Sequence, residues 1–171
     1  MAATFKRQMW YHKGPLPKVV EYPIAASQGT FPAGHPCYIS TSGTVKLSDT
    51  SDGTGDAWHG FLVEAVSTEL AANVKVPVAM IEKGQWWRCY VETSGTDAAA
   101  PQTIVGDSLG LTVSTTSTEE GYTTLDTANS NTTVIVRDVI WNIEDEKHAS
   151  TDSPGQALVE FLTANIEASR A

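Results

Sequence analysis

The sequence predicts a mostly β protein, a small barrel or sandwich preceded by an extended N-terminal arm. Ser and Thr together supply about a fifth of the chain, and Thr favours strands while Ser favours turns. Hydrophobic residues make up 41% of the 171 residues, which is enough for a core, and charged residues only 18%. From about residue 20 onward, short β-prone runs alternate with turn clusters, as in small barrels and sandwiches.

Charge divides the chain into a basic arm, residues 1–20, and an acidic β domain, residues 21–171. The arm carries a net charge of +4 and no acidic residue, whereas the rest of the chain carries −13. A negative body disfavours nucleic-acid binding. A basic arm indicates an acidic partner surface, such as the same body in a neighbouring copy. Pro15 and Pro17 disfavour a helix, so we expect the arm to be extended when free and to contribute little to the core.

The first strands of the domain are predicted around a hairpin. Residues 37–40 and 44–47 flank a short turn, in which Gly43 supplies a positive φ. Residues 48–56, rich in Gly and Asp, are a loop by composition, and residues 58–66 follow as a strand.

Two longer strands follow. Residues 73–81 alternate Val with other residues, among them Pro77, which cannot donate a hydrogen bond and therefore predicts an edge strand or a bulge. Residues 82–84 turn the chain into an aromatic strand at 85–92, and residues 93–102 are predicted to be a connector.

The last part of the chain, residues 104–171, is the candidate for a second lobe. Its predicted strands are residues 109–113, 122–125 and 132–143. The C-terminal segment has two interpretations. A capping box from Ser153 to Gln156, with Pro154 at the first helical position, and the helical spacing of Leu158, Phe161, Leu162 and Ile166 favour a helix. Residues 155–162 are also compatible with a closing strand after a Pro-Gly turn, and from the pattern alone the helix is favoured.

Motifs for catalysis or metal binding are weak. Asp49, Asp52 and Asp56 share one loop, but they lack the ligand spacing of an EF-hand, so a solvated turn is favoured. No Gly-x-Ser-x-Gly elbow, Cys-x-x-Cys, His-Glu-x-x-His or phosphate-binding Gly loop occurs. A Cys37–His59 pair has no local support. We therefore expect no enzymatic activity, no cofactor and no metal.

The two cysteines, Cys37 and Cys89, lie in apolar runs, so the sequence predicts buried thiols and no disulfide framework. The sequence has no apolar segment typical of a signal peptide and no run approaching the roughly 18 apolar residues of a membrane span. We expect a protein made in the cytoplasm and without a membrane partner.

Aromatic residues are the strongest binding signal. Trp86 and Trp87 are adjacent, so in a strand one of them points away from the core, which keeps a carbohydrate-binding module as an alternative. The arm interleaves aromatic and basic residues, and aromatic and Arg side chains are the anchors that protein interfaces bury. The predicted partner-binding residues are Phe5, Lys6, Arg7, Trp10, Tyr11, Lys13 and Lys18.

One part of the chain resembles the phage head decoration (capsid cement) proteins. The matching elements are FPAGHPCYI at 31–39, the hairpin ending in GTV at 43–45, WHGFLVE at 58–64, NVKV at 73–76 and PGQALVEFL at 154–162. The resemblance rests on glycine positions and strand spacing, and it favours a strand over a helix at the C-terminal segment.

The resemblance implies a small β-barrel or β-tulip on the outer surface of a phage capsid. Such proteins are often trimers at three-fold or quasi-three-fold positions, with an arm that reaches over the major capsid protein or a neighbouring copy. It therefore implies a structural virion protein that stabilises the expanded head, with the major capsid protein and its own copies as partners. A head-fibre or tail protein is the alternative within virions, and a carbohydrate-binding module is the alternative outside them.

Overall fold

The structure is a computed structural model of the chain. It describes residues 9–47, 58–66, 68–94, 96–113, 123–129, 132–140, 142–143, 146–147 and 155–162. The elements in chain order are β1 (Trp10–Lys13), β2 (Val19–Pro23), β3 (Pro36–Ile39), β4 (Val45–Leu47), β5 (Gly60–Leu62), β6 (Lys75–Met80), β7 (Trp86–Thr93), β8 (Thr96–Asp97), a 3₁₀ helix (Gln102–Ile104), β9 (Ser108–Val113), β10 (Thr123–Asp126), β11 (Val134–Val139), β12 (Asn142–Ile143), β13 (Glu146–Lys147) and β14 (Gln156–Phe161). The predicted mostly β fold is confirmed.

The larger sheet closes into a five-stranded barrel. Its strands follow the order β7, β10, β9, β11 and β14, and β14 pairs again with β7. The pairing of β10 with β7 is parallel, and the other pairings of the ring are antiparallel. β1 and β8 pair with β7 outside this ring. Closure pairs each strand of the ring on both sides, which removes open edges from the ring.

The barrel interior is filled by alternate residues of its strands. Trp87, Cys89 and Val91 of β7 are buried there. The other strands of the ring contribute Leu111, Val113, Leu125, Val134, Val136, Val139, Ala157, Val159 and Phe161. Each large apolar side chain removed from water in this way contributes about 1.5–3 kcal/mol to folding.

The smaller sheet has the strand order β2-β6-β5-β3-β4 and is antiparallel throughout. A parallel bridge joins Ile24, just after β2, to Val45 on β4, so the sheet curls until its two ends meet. Its inward residues form a second buried cluster of Ile24, Cys37, Val45, Leu47, Leu62, Val66, Val76 and Val78.

Phe61 joins the two sheets. It lies on β5 of the smaller sheet, next to Leu62 of that sheet's own core, and therefore points out of that sheet. Its ring lies 4.6 Å from the ring of Trp87 and 6.2 Å from that of Phe161, measured between centroids. The core of the barrel thus extends onto the outer face of the smaller sheet.

The predicted hairpin and the predicted turn before β7 are confirmed, whereas the strand predicted over residues 58–66 is shorter and covers Gly60–Leu62. β3 and β4 form the expected hairpin, with Ile39 opposite Val45, and Gly43 has a φ of 76° in the turn between them. The backbone N–H of Gln85 donates to the carbonyl of Glu82 at 3.3 Å, which closes the predicted turn before β7. These features depend on short stretches of sequence, and local sterics is sufficient to specify them.

The predicted edge position or bulge at Pro77 is wrong. β6 lies between β2 and β5, with Pro77 opposite Glu21, and its register is continuous on both sides. The carbonyl of Pro77 accepts a hydrogen bond from the N–H of Val63 at 3.0 Å, so the amide side of Pro77 also faces β5. β5 ends at Leu62, which pairs with Val78, so the regular pairing of β6 with β5 stops next to Pro77. The N–H that Pro77 lacks is therefore not needed for that pairing.

The C-terminal segment is a strand, β14, as the resemblance favoured and the helical spacing did not. β14 pairs with β11 on one side and with β7 on the other. Because β7 closes the ring formed by β9, β10, β11 and β14, residues 104–171 do not form a lobe of their own within the described chain. The possible second lobe at residues 104–171 therefore shares a sheet with β7 of the preceding part of the chain.

β1 also differs from the expectation of an arm that contributes little to the core. Residues 10–13 pair with β7, and Met9 is buried in the barrel core with 3% of its surface exposed. Gly14 ends the strand with a φ of 111°, and a Cβ at this position would lie 2.3 Å from the carbonyl oxygen of Gly84. Residues 9–13 therefore belong to the barrel, and residues 1–8 of the predicted arm lie outside the described residues.

Candidate functional site

The candidate site is the outer face of β1 and β7, and a β-bulge creates it. Trp10 pairs with Arg88, whereas Lys13 pairs with Trp86, with an irregular register between Tyr11 and Lys13. Residues three apart in a regular strand point to opposite faces. The extra residue of the bulge returns Lys13 to the same face as Trp10, which is the kind of re-aiming that bulges perform.

Two reciprocal cation–aromatic pairs occupy this face. The ammonium of Lys13, on β1, lies 3.5 Å from the ring centroid of Trp86, on β7. The guanidinium of Arg88, on β7, lies 4.9 Å from the ring centroid of Trp10, on β1. The ring of Tyr90 meets that of Trp10 edge to face at 5.9 Å. We call these five residues, Trp10, Lys13, Trp86, Arg88 and Tyr90, the cation–aromatic strip.

Contacts with neighbouring strands hold the side chains of the strip in place. Each cation–aromatic pair contributes about 0.5–1 kcal/mol at a partly exposed site. The Nε–H of Arg88 also donates to the side-chain oxygen of Gln156 on β14, which is buried. The Arg88 guanidinium is therefore held in place by contacts with residues of β1 and β14 as well as by its own strand β7. The positive charges of Lys13 and Arg88 thus have fixed positions on this face.

His12, within the bulge, lies close to the two cations of the strip. Burial, and then the positive charges of Lys13 and Arg88, lower the pKa of His12 below its ordinary 6.5. His12 is thus kept neutral near neutral pH, and the positive charge of this face comes from the two side chains that cover tryptophan rings.

The structure distributes the predicted partner-binding residues unequally. Trp10 and Lys13 lie in the strip. Tyr11 points the other way, since its ring packs against Trp87 at 6.1 Å and its hydroxyl donates to the carbonyl of Gly14 at 2.5 Å. Lys18 belongs to the other sheet, where its carbonyl accepts a hydrogen bond from the N–H of Met80 at 2.9 Å. Phe5, Lys6 and Arg7 lie outside the described residues.

The predicted partner-binding residues included two of the five strip residues and lacked the three on β7. Trp86, Arg88 and Tyr90 recur at every second position of β7, and this spacing places them on one face of a strand. The expectation that Trp86 and Trp87 point to opposite faces is confirmed, because Trp87 is buried in the barrel core and Trp86 covers the outer face. The alternation of Trp86, Arg88 and Tyr90 along β7 is the pattern in the sequence that could have identified these three residues.

Cys37 and His59, which the sequence offered as a possible pair, have separate hydrogen-bond partners. The Nδ1 atom of His59 accepts a hydrogen bond from the backbone N–H of Ile39 at 2.6 Å, and the thiol of Cys37 donates to the carbonyl of Gly60 at 3.5 Å. The two side chains thus have separate partners. Within the described ranges, no group of three or more His, Cys, Asp or Glu side chains is arranged to hold a metal ion. The Asp-rich loop, residues 48–56, lies outside those ranges.

Both cysteines are expected to resist thiol reagents in the folded protein. Burial raises the pKa of Cys37 and of Cys89 to about 12, and both thiols are free. Since only the thiolate reacts, a disulfide reagent at about pH 8 should label neither residue until urea unfolds the chain. Absorbance of the released thiol reports the labelling. Rapid labelling of a native sample would contradict the buried positions, and the urea-unfolded sample serves as the control for two reactive thiols.

A comparison with protein-family models finds no match for this chain, and a comparison with curated proteins finds none. In the part of the chain that the structure describes, no helix has the length and apolarity needed to cross a membrane.

Proposed function

We propose that the chain is a structural virion protein that binds the outer surface of a phage capsid and stabilises it. The observation that carries the proposal is the cation–aromatic strip. It includes Trp10 and Lys13 of the basic N-terminal arm and lies on the outside of a β-barrel, while residues 21–171 carry a net charge of −13. Aromatic and Arg side chains are the residues that protein interfaces use as anchors. The resemblance of residues 31–62 to decoration proteins supports the same conclusion.

The proposed mechanism is mass action. A protein that binds the assembled shell and not its separate subunits stabilises the shell by its binding free energy, summed over many copies. In this proposal the partners are the major capsid protein and further copies of the chain, arranged as a trimer at three-fold positions, and the site of action is the capsid surface. Residues 1–8 and the strip would together contact the neighbouring surface.

A carbohydrate-binding module is less well supported. A sugar platform needs an open aromatic face on which a sugar ring can stack. Lys13 covers one face of the Trp86 ring, and Arg88 lies over the ring of Trp10. Stacking of a sugar on those faces would first have to displace a cation.

Substitution of Trp10 by Ala is expected to weaken binding to capsids by at least about tenfold, because interface tryptophans contribute about 2 kcal/mol or more. Binding should be measured by cosedimentation with expanded empty heads, assembled from the major capsid protein of the phage that encodes the chain. The wild-type chain itself is expected to cosediment with the heads. If it does not, the proposed function is wrong.

The control for this substitution is Leu16→Ala. Leu16 is more exposed than Trp10 and lies outside the strip, so its loss should leave capsid binding unchanged. Thermal unfolding of both variants separates a loss of binding from a loss of folding. If Trp10→Ala folds and binds heads as tightly as the wild type, the strip is not the anchor.

A further inference from the structure

The two cations of the strip lie in neighbouring rows of the sheet. Lys13 and Trp86 form one pair across β1 and β7, and Trp10 and Arg88 form the next pair on the same face. Trp86 and Arg88 are two residues apart on β7, so the rows are separated by about 6.6 Å along the strand. An extended chain repeats its side chains on one face at this same distance, every second residue. Lys13 and Arg88 belong to neighbouring strands about 4.8 Å apart, an offset that their long, flexible side chains can span.

We propose that the cation–aromatic strip binds an extended acidic segment of a partner protein, with carboxylates at positions i and i+2 that meet Lys13 and Arg88. The inference rests on the proposed function, because it gives the chemistry of the partner at that same site. The cations already cover faces of the two tryptophan rings, so the segment would contact the strip chiefly through its carboxylates.

Charge complementarity decides in favour of an acidic protein segment. The face offers two preordered cations, and nearby His12 is kept neutral by them and by burial. Nucleic acid would also bring negative charge, but the chain as a whole carries −9, which opposes an extended polyanion. A short acidic segment meets the strip alone and avoids most of that repulsion, which is also screened beyond roughly 10 Å at ordinary ionic strength.

The same pairs also have a structural role, because they fasten β1 to β7. A purely structural role predicts that removal of Arg88 destabilises the fold and changes nothing in the response to an added acidic peptide. The two roles therefore differ in a binding measurement made on the folded protein. Lys46 on β4 provides a matched control, since it is an exposed cation that lies 6.0 Å from the ring centroid of Tyr38 and belongs to the smaller sheet.

The experiment is an NMR titration of the full chain at low salt, observing the indole N–H signals of the tryptophans. The probes are two synthetic peptides of equal composition, Ac-Thr-Asp-Thr-Asp-Thr-NH₂ and Ac-Thr-Asp-Asp-Thr-Thr-NH₂, and the oligonucleotide hexathymidylate. The first peptide should shift the signals of Trp10 and Trp86 and leave those of the buried Trp58 and Trp87 in place. It should bind about threefold more tightly than the second, whose adjacent carboxylates point to opposite faces. About 0.3 M salt should abolish the shifts.

Arg88→Gln should weaken binding of the first peptide about threefold to fivefold, whereas Lys46→Gln should leave it unchanged. Lys13→Gln removes the other, exposed cation of the strip and should weaken binding of the first peptide about threefold, which keeps the test valid if Arg88→Gln unfolds. The inference is overturned if neither peptide shifts Trp10 or Trp86, if the two peptides bind equally, or if hexathymidylate alone produces the shifts. Because no capsid is present, this result is independent of the capsid-binding assay that tests the proposed function.

Discussion

A chain truncated to begin at Gly14 is expected to have a free energy of unfolding about 3–5 kcal/mol lower than a chain truncated to begin at Met9. The two chains differ only in residues 9–13. Met9 is buried in the barrel core, and its removal costs about 2–5 kcal/mol by loss of burial and creation of a cavity. The loss of the Tyr11 packing and of both cation–aromatic pairs adds to this cost.

Urea unfolding followed by circular dichroism measures both truncations. Removal of residues 1–8 alone is the matched control, because it leaves every described contact of β1 intact. Equal stability of the two truncated chains would show that β1 is not an integral part of the barrel. The result also affects the binding assays, since a deletion that reaches β1 would impair folding and binding together. Single substitutions in the strip are the cleaner test of function for this reason.

Substitution of Phe61 by Ala is expected to lower the free energy of unfolding by about 3–5 kcal/mol. Phe61 is 3% exposed and contacts Trp87 and Phe161 of the barrel, although it belongs to β5 of the smaller sheet. The cavity would therefore open at the contact between the two sheets. We expect the two sheets to unfold together in the wild type, since they share this core.

Val63→Ala is the matched control for Phe61→Ala. Val63 lies two residues further along the chain and is 43% exposed, so its truncation should change the free energy of unfolding by no more than about 0.5 kcal/mol. Tryptophan fluorescence in urea follows the barrel directly through Trp87, which contacts Phe61. A loss of less than about 1 kcal/mol for Phe61→Ala would mean that the two sheets are stabilised independently.

Several parts of the fold were determined by the sequence alone, because local chemistry is enough to specify them. The turn at Gly43 requires a positive φ, which glycine adopts without a steric cost. The β-branched and Ser/Thr-rich composition predicted a mostly β chain, and the confirmed strands follow from alternation and turn spacing. The burial of Cys37 and Cys89 likewise follows from the apolar runs that contain them.

The C-terminal segment and Pro77 were decided by tertiary structure. Leu158, Phe161 and Leu162 have helical spacing, but β7 and β11 offer strand partners on both sides of β14. Hydrogen bonding and inward packing of alternate residues then outweigh a local pattern. Pro77 occupies a central strand because the neighbouring strand ends at that point, and the end of a neighbour is not encoded near the proline.

The residues of the candidate site were likewise determined partly by the sequence and partly by the tertiary structure. Composition and charge along the chain were enough to single out Trp10 and Lys13 as aromatic and basic residues suited to an interface. Their partners Trp86 and Arg88 lie more than 70 residues away, and a register with a bulge brings the four together. Register depends on which strands meet and on how the core fills, so only the tertiary structure could assign these pairs.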